Sequence, residues 1–144
     1  MIPESLLIER LVKDESEVLH EYKDHLGYST IGVGRLIDKR KGGGISQEES
    51  RYLLRNDIRQ RTAECEQRFE WWSAIDDVRQ GVVLCMAFQL GTRGVANFKR
   101  MCTALRIRDY ITAAAEMLDS TWAREQTPAR AHRMAKMMRT GVWQ

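Results

Sequence analysis

The chain has 144 residues, which is enough for one domain with its own core. Its hydrophobic content of 43% and charged content of 30% are ordinary for a soluble globular protein, and no apolar run approaches the length of a membrane span. The net charge of +3 hides a gradient: residues 1–50 hold seven Lys/Arg against ten Asp/Glu, and residues 97–144 hold nine against four. Such an imbalance suits an anionic polymer lying between an acidic and a basic half. Nucleic acid is not expected, because the basic residues are not interleaved with stacking aromatics and no nucleic-acid motif occurs. Cys65, Cys85 and Cys102 form an odd set without metal-type spacing and read as buried or partly buried free thiols.

Pro3 to Lys13 is predicted as a first helix, with Pro3 in its first turn and Leu7, Ile8, Leu11 and Val12 on one face. Asp14 and Glu15 then fall at the C-terminal end, where the helix dipole disfavours acids and calls for a positive partner. Val18, His20 and Tyr22 alternate with Leu19, Glu21 and Lys23, which predicts a strand. Leu26-Gly27 gives a turn, and Tyr28, Thr30, Ile31 and Val33 resume strand-like residues. Gly32 and Gly34 would let a backbone or ligand come close. This layout can hold Glu15 and Asp24 on opposite sides of a cleft, as glycoside hydrolysis requires: a protonated acid for the leaving oxygen and an ionised base for water. The plain alternative is a surface hairpin with solvated acids.

Lys39-Arg40-Lys41-Gly42-Gly43-Gly44 reads as a flexible basic loop, either a simple linker or a contact for an acidic polymer. Ser46 and Glu49 make a capping box for a long helix on which Leu54, Ile58, Cys65 and Phe69 recur at helical spacing. Ser73 with Asp76 is a second start signal. Gly81 to Leu90 is apolar nearly all round, as a buried central helix would be, and Gly91 suits its end. Short helices are expected at about 95–105, 109–118 and 128–139, the last with Thr127 as cap and Pro128 in its first turn. Trp122 and Trp143 read as core residues; of Trp71 and Trp72, one is expected inside and the other on the surface.

Four ordered blocks carry a resemblance over nearly the whole chain: Glu15 to Asp24 with Gly27 to Gly34, Phe88-Gln89-Leu90-Gly91 with Gly94-Val95-Ala96, Trp122 with Gln126 to Ala131, and Arg139 to Trp143. The chain resembles the phage-type lysozymes, or endolysins. The resemblance implies an α+β, mainly helical, two-lobe fold. A small hairpin lobe of about residues 14–60 and a helical lobe of about 1–13 and 61–144 would be joined by the long helix in one lysozyme domain. It implies Glu15, Asp24 and Thr30 as catalytic residues, and Leu36 and Phe88 as substrate contacts. Gln89 would be a supporting residue, and Arg130 and Arg133 would pair with Glu15 and Asp14.

The substrate would be a peptidoglycan glycan strand, cut between N-acetylmuramic acid and N-acetylglucosamine with inversion, and neither cofactor nor metal is called for. A monomer without stable membrane insertion is expected. It would stay in the host cytoplasm until release to the wall, because Met1 to Glu17 lacks a signal-peptide core. Whether a separate membrane-permeabilising partner gives access is left open.

There are departures from the family. Arg35 stands where the family has histidine, with Asp57 at the position of its partner. Ser16 replaces a glycine. Met101 and Glu116 replace small polar substrate contacts, and the region after the hairpin is shorter. The rival readings are a lytic transglycosylase on the same bond and a non-catalytic wall-binding module; retention of Asp24 and Thr30 favours hydrolysis.

Overall fold

A computed structural model describes residues 2–144. The chain divides into two compact units, one reaching Leu53 and the other running from Leu54 to Gln144. The fold is the expected α+β, mainly helical, lysozyme-like one. α1 (Glu4–Glu15) is followed by β1 (Val18–Lys23), β2 (Ser29–Gly32) and β3 (Arg35–Leu36), and then by a tight 3-10 turn at Lys39–Lys41. α2 (Gln47–Arg68), α3 (Asp77–Ala96), α4 (Lys99–Arg106), α5 (Tyr110–Leu118) and α6 (Pro128–Thr140) complete the chain, with a π-helical turn at Trp122–Gln126.

In the first unit the strands form one antiparallel sheet in the order β1-β2-β3. Thr30 sits on the middle strand, opposite Tyr22 on one side and Leu36 on the other. β3 was not anticipated, because two residues are too few to show a period. Gly32 and Gly34 adopt φ of 68° and 69°, with no atom near where a Cβ would stand. Both positions thus need glycine for a left-handed turn between β2 and β3, and no backbone of this chain closes on them. α1 begins at Glu4, so Pro3 lies just outside it, and the helix ends at Glu15. The capping box of α2 forms as expected: Glu49 N donates to Ser46 Oγ at 3.1 Å, and Ser46 N to Glu49 Oε2 at 2.7 Å.

The second unit holds an apolar core reaching from Cys65 to Met138, including Val82, Val83 and Met86 of α3 and Met117 of α5. α3 is capped by Asp76, whose carboxylate accepts from Val78 N and Arg79 N, so Ser73 does not start the helix. The helix breaks at Gly91, which has φ 73°, and resumes to Ala96; α4 therefore begins at Lys99, later than the expected 95. Trp71 and Trp72 are both buried, correcting the expectation that one would lie on the surface. The Trp71 ring stacks on Phe69 at 4.7 Å, which covers it. Trp122 is buried as expected, but Trp143 is 59% exposed. Its ring lies over Gly81, where an added Cβ would clash with it.

Arg79 closes the end of α6, donating Nε to Met138 O at 2.8 Å and Nη2 to Arg139 O at 3.1 Å, with its guanidinium 3.8 Å from the Tyr110 ring centre. The three cysteines are free thiols. Cys65 is buried and Cys102 half-buried, and burial pushes both thiols up to about 11. Cys85 is exposed, contrary to expectation.

Candidate active site

Glu15 is the last residue of α1 and is exposed. The next residue, Ser16, has φ 65° and ψ 160°, a region that is essentially glycine's. The chain is thus turned sharply out of the helix directly after Glu15, at a residue poorly suited to the turn. Asp14 pairs with Arg10 one turn back, at 3.4 Å.

Asp24 lies on the turn between β1 and β2. The turn is closed by Asp24 N donating to Tyr28 O at 2.9 Å and Gly27 N to Asp24 O at 2.9 Å. The Asp24 carboxylate then accepts two backbone amides on one oxygen, Oδ1: Tyr28 N at 2.8 Å and Leu26 N at 2.9 Å. The Tyr28 amide is the main reason that this carboxyl is held below its ordinary range, ahead of an opposing contribution from burial and a further one from the Leu26 amide. Thr30, four per cent exposed, donates its hydroxyl to Tyr28 O at 3.0 Å. Its proton is therefore engaged, and its oxygen can still accept from a water. Asp24 and Thr30 thus both bond to the main chain of Tyr28, one at its N–H and the other at its carbonyl.

Arg35, on β3, is held by Glu49 of the capping box, with Nη1 2.7 Å from Oε1 and 3.0 Å from Oε2. The sequence marks that acid only as a capping residue, and its pairing with Arg35 was not expected. The Ser46 amide, followed by Arg35, lowers the Glu49 carboxyl. Asp57 is exposed further along α2. Leu36 is half-buried on β3 beside Thr30.

In the second unit, Gln89 ties three elements together. Its Oε1 accepts from Trp122 Nε1 at 3.0 Å and from Arg130 Nη1 at 3.1 Å, and its Nε2 donates to Thr127 Oγ1 at 3.5 Å. Phe88 is 42% exposed and lines a hollow of about 570 Å³ together with Leu84, Cys85, Arg130 and Trp143. Arg133 is exposed on α6, one turn after Arg130. Met101 and Glu116, the two positions that depart from the resemblance, share another hollow of about 530 Å³ with Lys99, Arg100 and Trp122.

The sequence reading missed Asp38 and mistook its neighbours. Lys39 to Lys41 is not a flexible loop but a turn capped by Asp38, and Arg40 is tied to that aspartate through Nε at 2.9 Å and Nη2 at 2.7 Å. The available signal was an aspartate directly before a short polar run ending in glycines, which is a cap pattern.

A predominantly helical chain with this small antiparallel sheet, an acid closing the first helix and a second acid on the hairpin, belongs to the lysozyme class of fold. Comparison with known proteins fixes the class more closely. The chain belongs to the phage lysozyme family, whose profile matches residues 12–136. It is 29% identical to "Probable T4-type lysozyme 1" of Dictyostelium discoideum, over 96% of each chain, and equally identical to "Probable T4-type lysozyme 2" of the same organism. It is 31% identical to "Pre-baseplate central spike protein Gp5" of Enterobacteria phage T4, over 96% of this chain and 28% of that protein. These alignments span 164 positions against 144 residues here, so the relatives carry residues that this chain lacks. Family membership makes the protein a lysozyme, a glycoside hydrolase acting on peptidoglycan. Among the described residues no helix is long and apolar enough to cross a membrane.

Proposed function

We propose that this lysozyme hydrolyses the β-1,4 bond between N-acetylmuramic acid and N-acetylglucosamine with inversion, in the service of phage lysis of a bacterial host. Glu15 donates a proton to the leaving oxygen as the bond breaks through an oxocarbenium-like state. Asp24 takes a proton from a water on the opposite face of the sugar, and Thr30 Oγ1 accepts from that same water and orients it. Leu36 and Phe88 contact the glycan.

The observation that supports this reading best is the state of Asp24. Two backbone amides on Oδ1 hold it as a carboxylate, as a water base must be. Thr30 donates to the carbonyl of that same residue, Tyr28, so base and water-holder are both anchored on it. A lytic transglycosylase would need the acid but no water base, and such an investment in Asp24 and Thr30 favours hydrolysis.

In this reading the chain acts as a monomer. It waits in the host cytoplasm until release to the wall, with or without a separate membrane-permeabilising partner. Clearing of purified peptidoglycan by wild type, Glu15→Gln and Asp24→Asn tests the assignment. Both variants should be folded and inactive; clearing at near wild-type rate by either would remove that residue from its role.

A further inference from the structure

Asp38 is 7% exposed and every contact of its carboxylate is accounted for. Oδ1 accepts from Arg40 N and Arg40 Nε, both at 2.9 Å; Oδ2 accepts from Arg40 Nη2 at 2.7 Å and from Ser29 N at 3.1 Å. The Asp38 amide returns a bond to Ser29 O at 3.1 Å, so the two residues are joined in a closed ring. Arg40 also reaches the hairpin directly. Its Nη2 donates to Gly27 O at 3.2 Å, and its guanidinium lies 5.0 Å from the centre of the Tyr28 ring. Gly43 completes the fit, because a Cβ there would stand 2.8 Å from Asp38 N and from Leu36 O.

The three residues gripped in this way, Gly27, Tyr28 and Ser29, lie next to the two groups that handle water. Tyr28 N holds the Asp24 carboxylate, and Tyr28 O receives both Asp24 N and the Thr30 hydroxyl. One short segment thus has a clamp on one side and the water-activating pair on the other. A forked, charge-assisted pair fixes direction as well as distance, and a misplacement of about 1 Å in a catalytic group can cost on the order of a hundredfold in rate.

We propose that Asp38 and Arg40 are positioning residues for the hydrolysis: their bidentate pair, closed onto Gly27, Tyr28 and Ser29, fixes the turn from which Asp24 and Thr30 act. The inference rests on the assignment of Asp24 as water base and adds to it the device that holds that base in place. Lys41 also places its ammonium 4.9 Å from the centre of the Tyr28 ring, but its side chain takes no part in the Asp38–Arg40 fork. A surface loop serving only to contact substrate would affect KM; a clamp behind the base affects kcat.

The test is a kinetic cycle on soluble peptidoglycan fragments, using wild type, Arg40→Met, Asp24→Asn and the double variant, with Arg40→Lys as the milder change. Near-ultraviolet circular dichroism and melting curves report the folded fraction at the assay temperature. Arg40→Met should lower kcat by roughly ten- to a hundredfold with KM within about twofold of wild type. Arg40→Lys keeps the charge but loses the fork, and should fall between Arg40→Met and wild type. In the Asp24→Asn background, Arg40→Met should reduce the remaining rate by less than about twofold, because the group it positions is already gone. Added guanidinium ion should restore part of the activity of Arg40→Met. A folded Arg40→Met with unchanged kcat, a loss confined to KM, an equal loss in both backgrounds, or a loss explained by the unfolded fraction would each overturn the proposal. Near-normal activity of Asp24→Asn alone would instead overturn the assignment of the base, and the two failures are thereby told apart.

Discussion

In the unit that ends at Leu53, the buried side chains among the described residues are Thr30 and Asp38, both polar. From Leu54 onward the buried residues, Thr92 apart, form an apolar core, with methionines at 86, 101, 117, 134, 137 and 138. The first unit is organised by directional bonds that converge on the β1–β2 turn, and the second by contact area. Hydrogen-bonded charge pairs fix angles and fail when one partner is lost. A methionine-rich core adapts to small changes of shape and resists mainly the loss of volume. The residues proposed for the chemistry of bond cleavage all belong to the first unit, where positions are set most narrowly.

The largest effect expected is on activity with no effect on stability. Glu15→Gln keeps the shape of an exposed side chain but cannot protonate the leaving oxygen. Clearing should fall by on the order of a hundredfold or more, with an unchanged melting temperature. An inactive protein that also melted early would blur the contrast between the units.

The opposite pattern is expected in the second unit. Met86, fully buried on α3, should cost about 2–5 kcal/mol when cut to alanine and less than about 1.5 kcal/mol when changed to leucine. Urea unfolding measures the loss, and kcat per folded molecule should stay at the wild-type value. A kcat that fell with Met86→Ala would show that the core does more than support.

Much of this division could be read from the residues alone. The period-two alternation of Val18 to Lys23 located the strand carrying the chain to Asp24, and the Ser46–Glu49 box located the start of α2, because both signals are local. Gly81 to Leu90 announced the central helix by being apolar all round. The clamp was hidden because Arg40 bonds to Gly27, thirteen residues earlier, and three glycines in a row imitate a linker. That Trp71 and Trp72 would both be buried was missed because the cover of Trp71 comes from stacking on Phe69, a contact that no pattern of polarity encodes. Arg35 found Glu49, since a capping glutamate has a second oxygen to offer.

A smaller effect should appear at the junction of α1 and the sheet. Ser16 occupies backbone space that suits glycine, at a cost of about 1–3 kcal/mol. Ser16→Gly recovers that strain but makes the unfolded chain more flexible, so a net gain of about 1 kcal/mol is expected. Thermal or urea unfolding would detect it, and a net loss would contradict the strain.

The gentlest probe is pH. Hydrogen bonds lower the carboxyls of Asp24, chiefly from Tyr28 N, and of Asp38, chiefly from Arg40. Their folded-state values lie below their unfolded ones. The stability they contribute is therefore complete above the ordinary carboxyl range near pH 4 and is lost as pH falls through the folded values. Hydrogen exchange during acid titration should show Tyr28 and Thr30 losing protection before the α3 core, and Asp38→Asn should make that loss shallower. Simultaneous loss in both units would remove the distinction between them.

The most direct test of the whole account is the configuration of the first-formed product, followed by proton magnetic resonance as the bond is cut. Water delivered by Asp24 from the far face of the sugar should give the α anomer at the new N-acetylmuramic acid reducing end, before mutarotation mixes the two forms. A first-formed β anomer, or an anhydro end with no free anomeric hydroxyl, would contradict it.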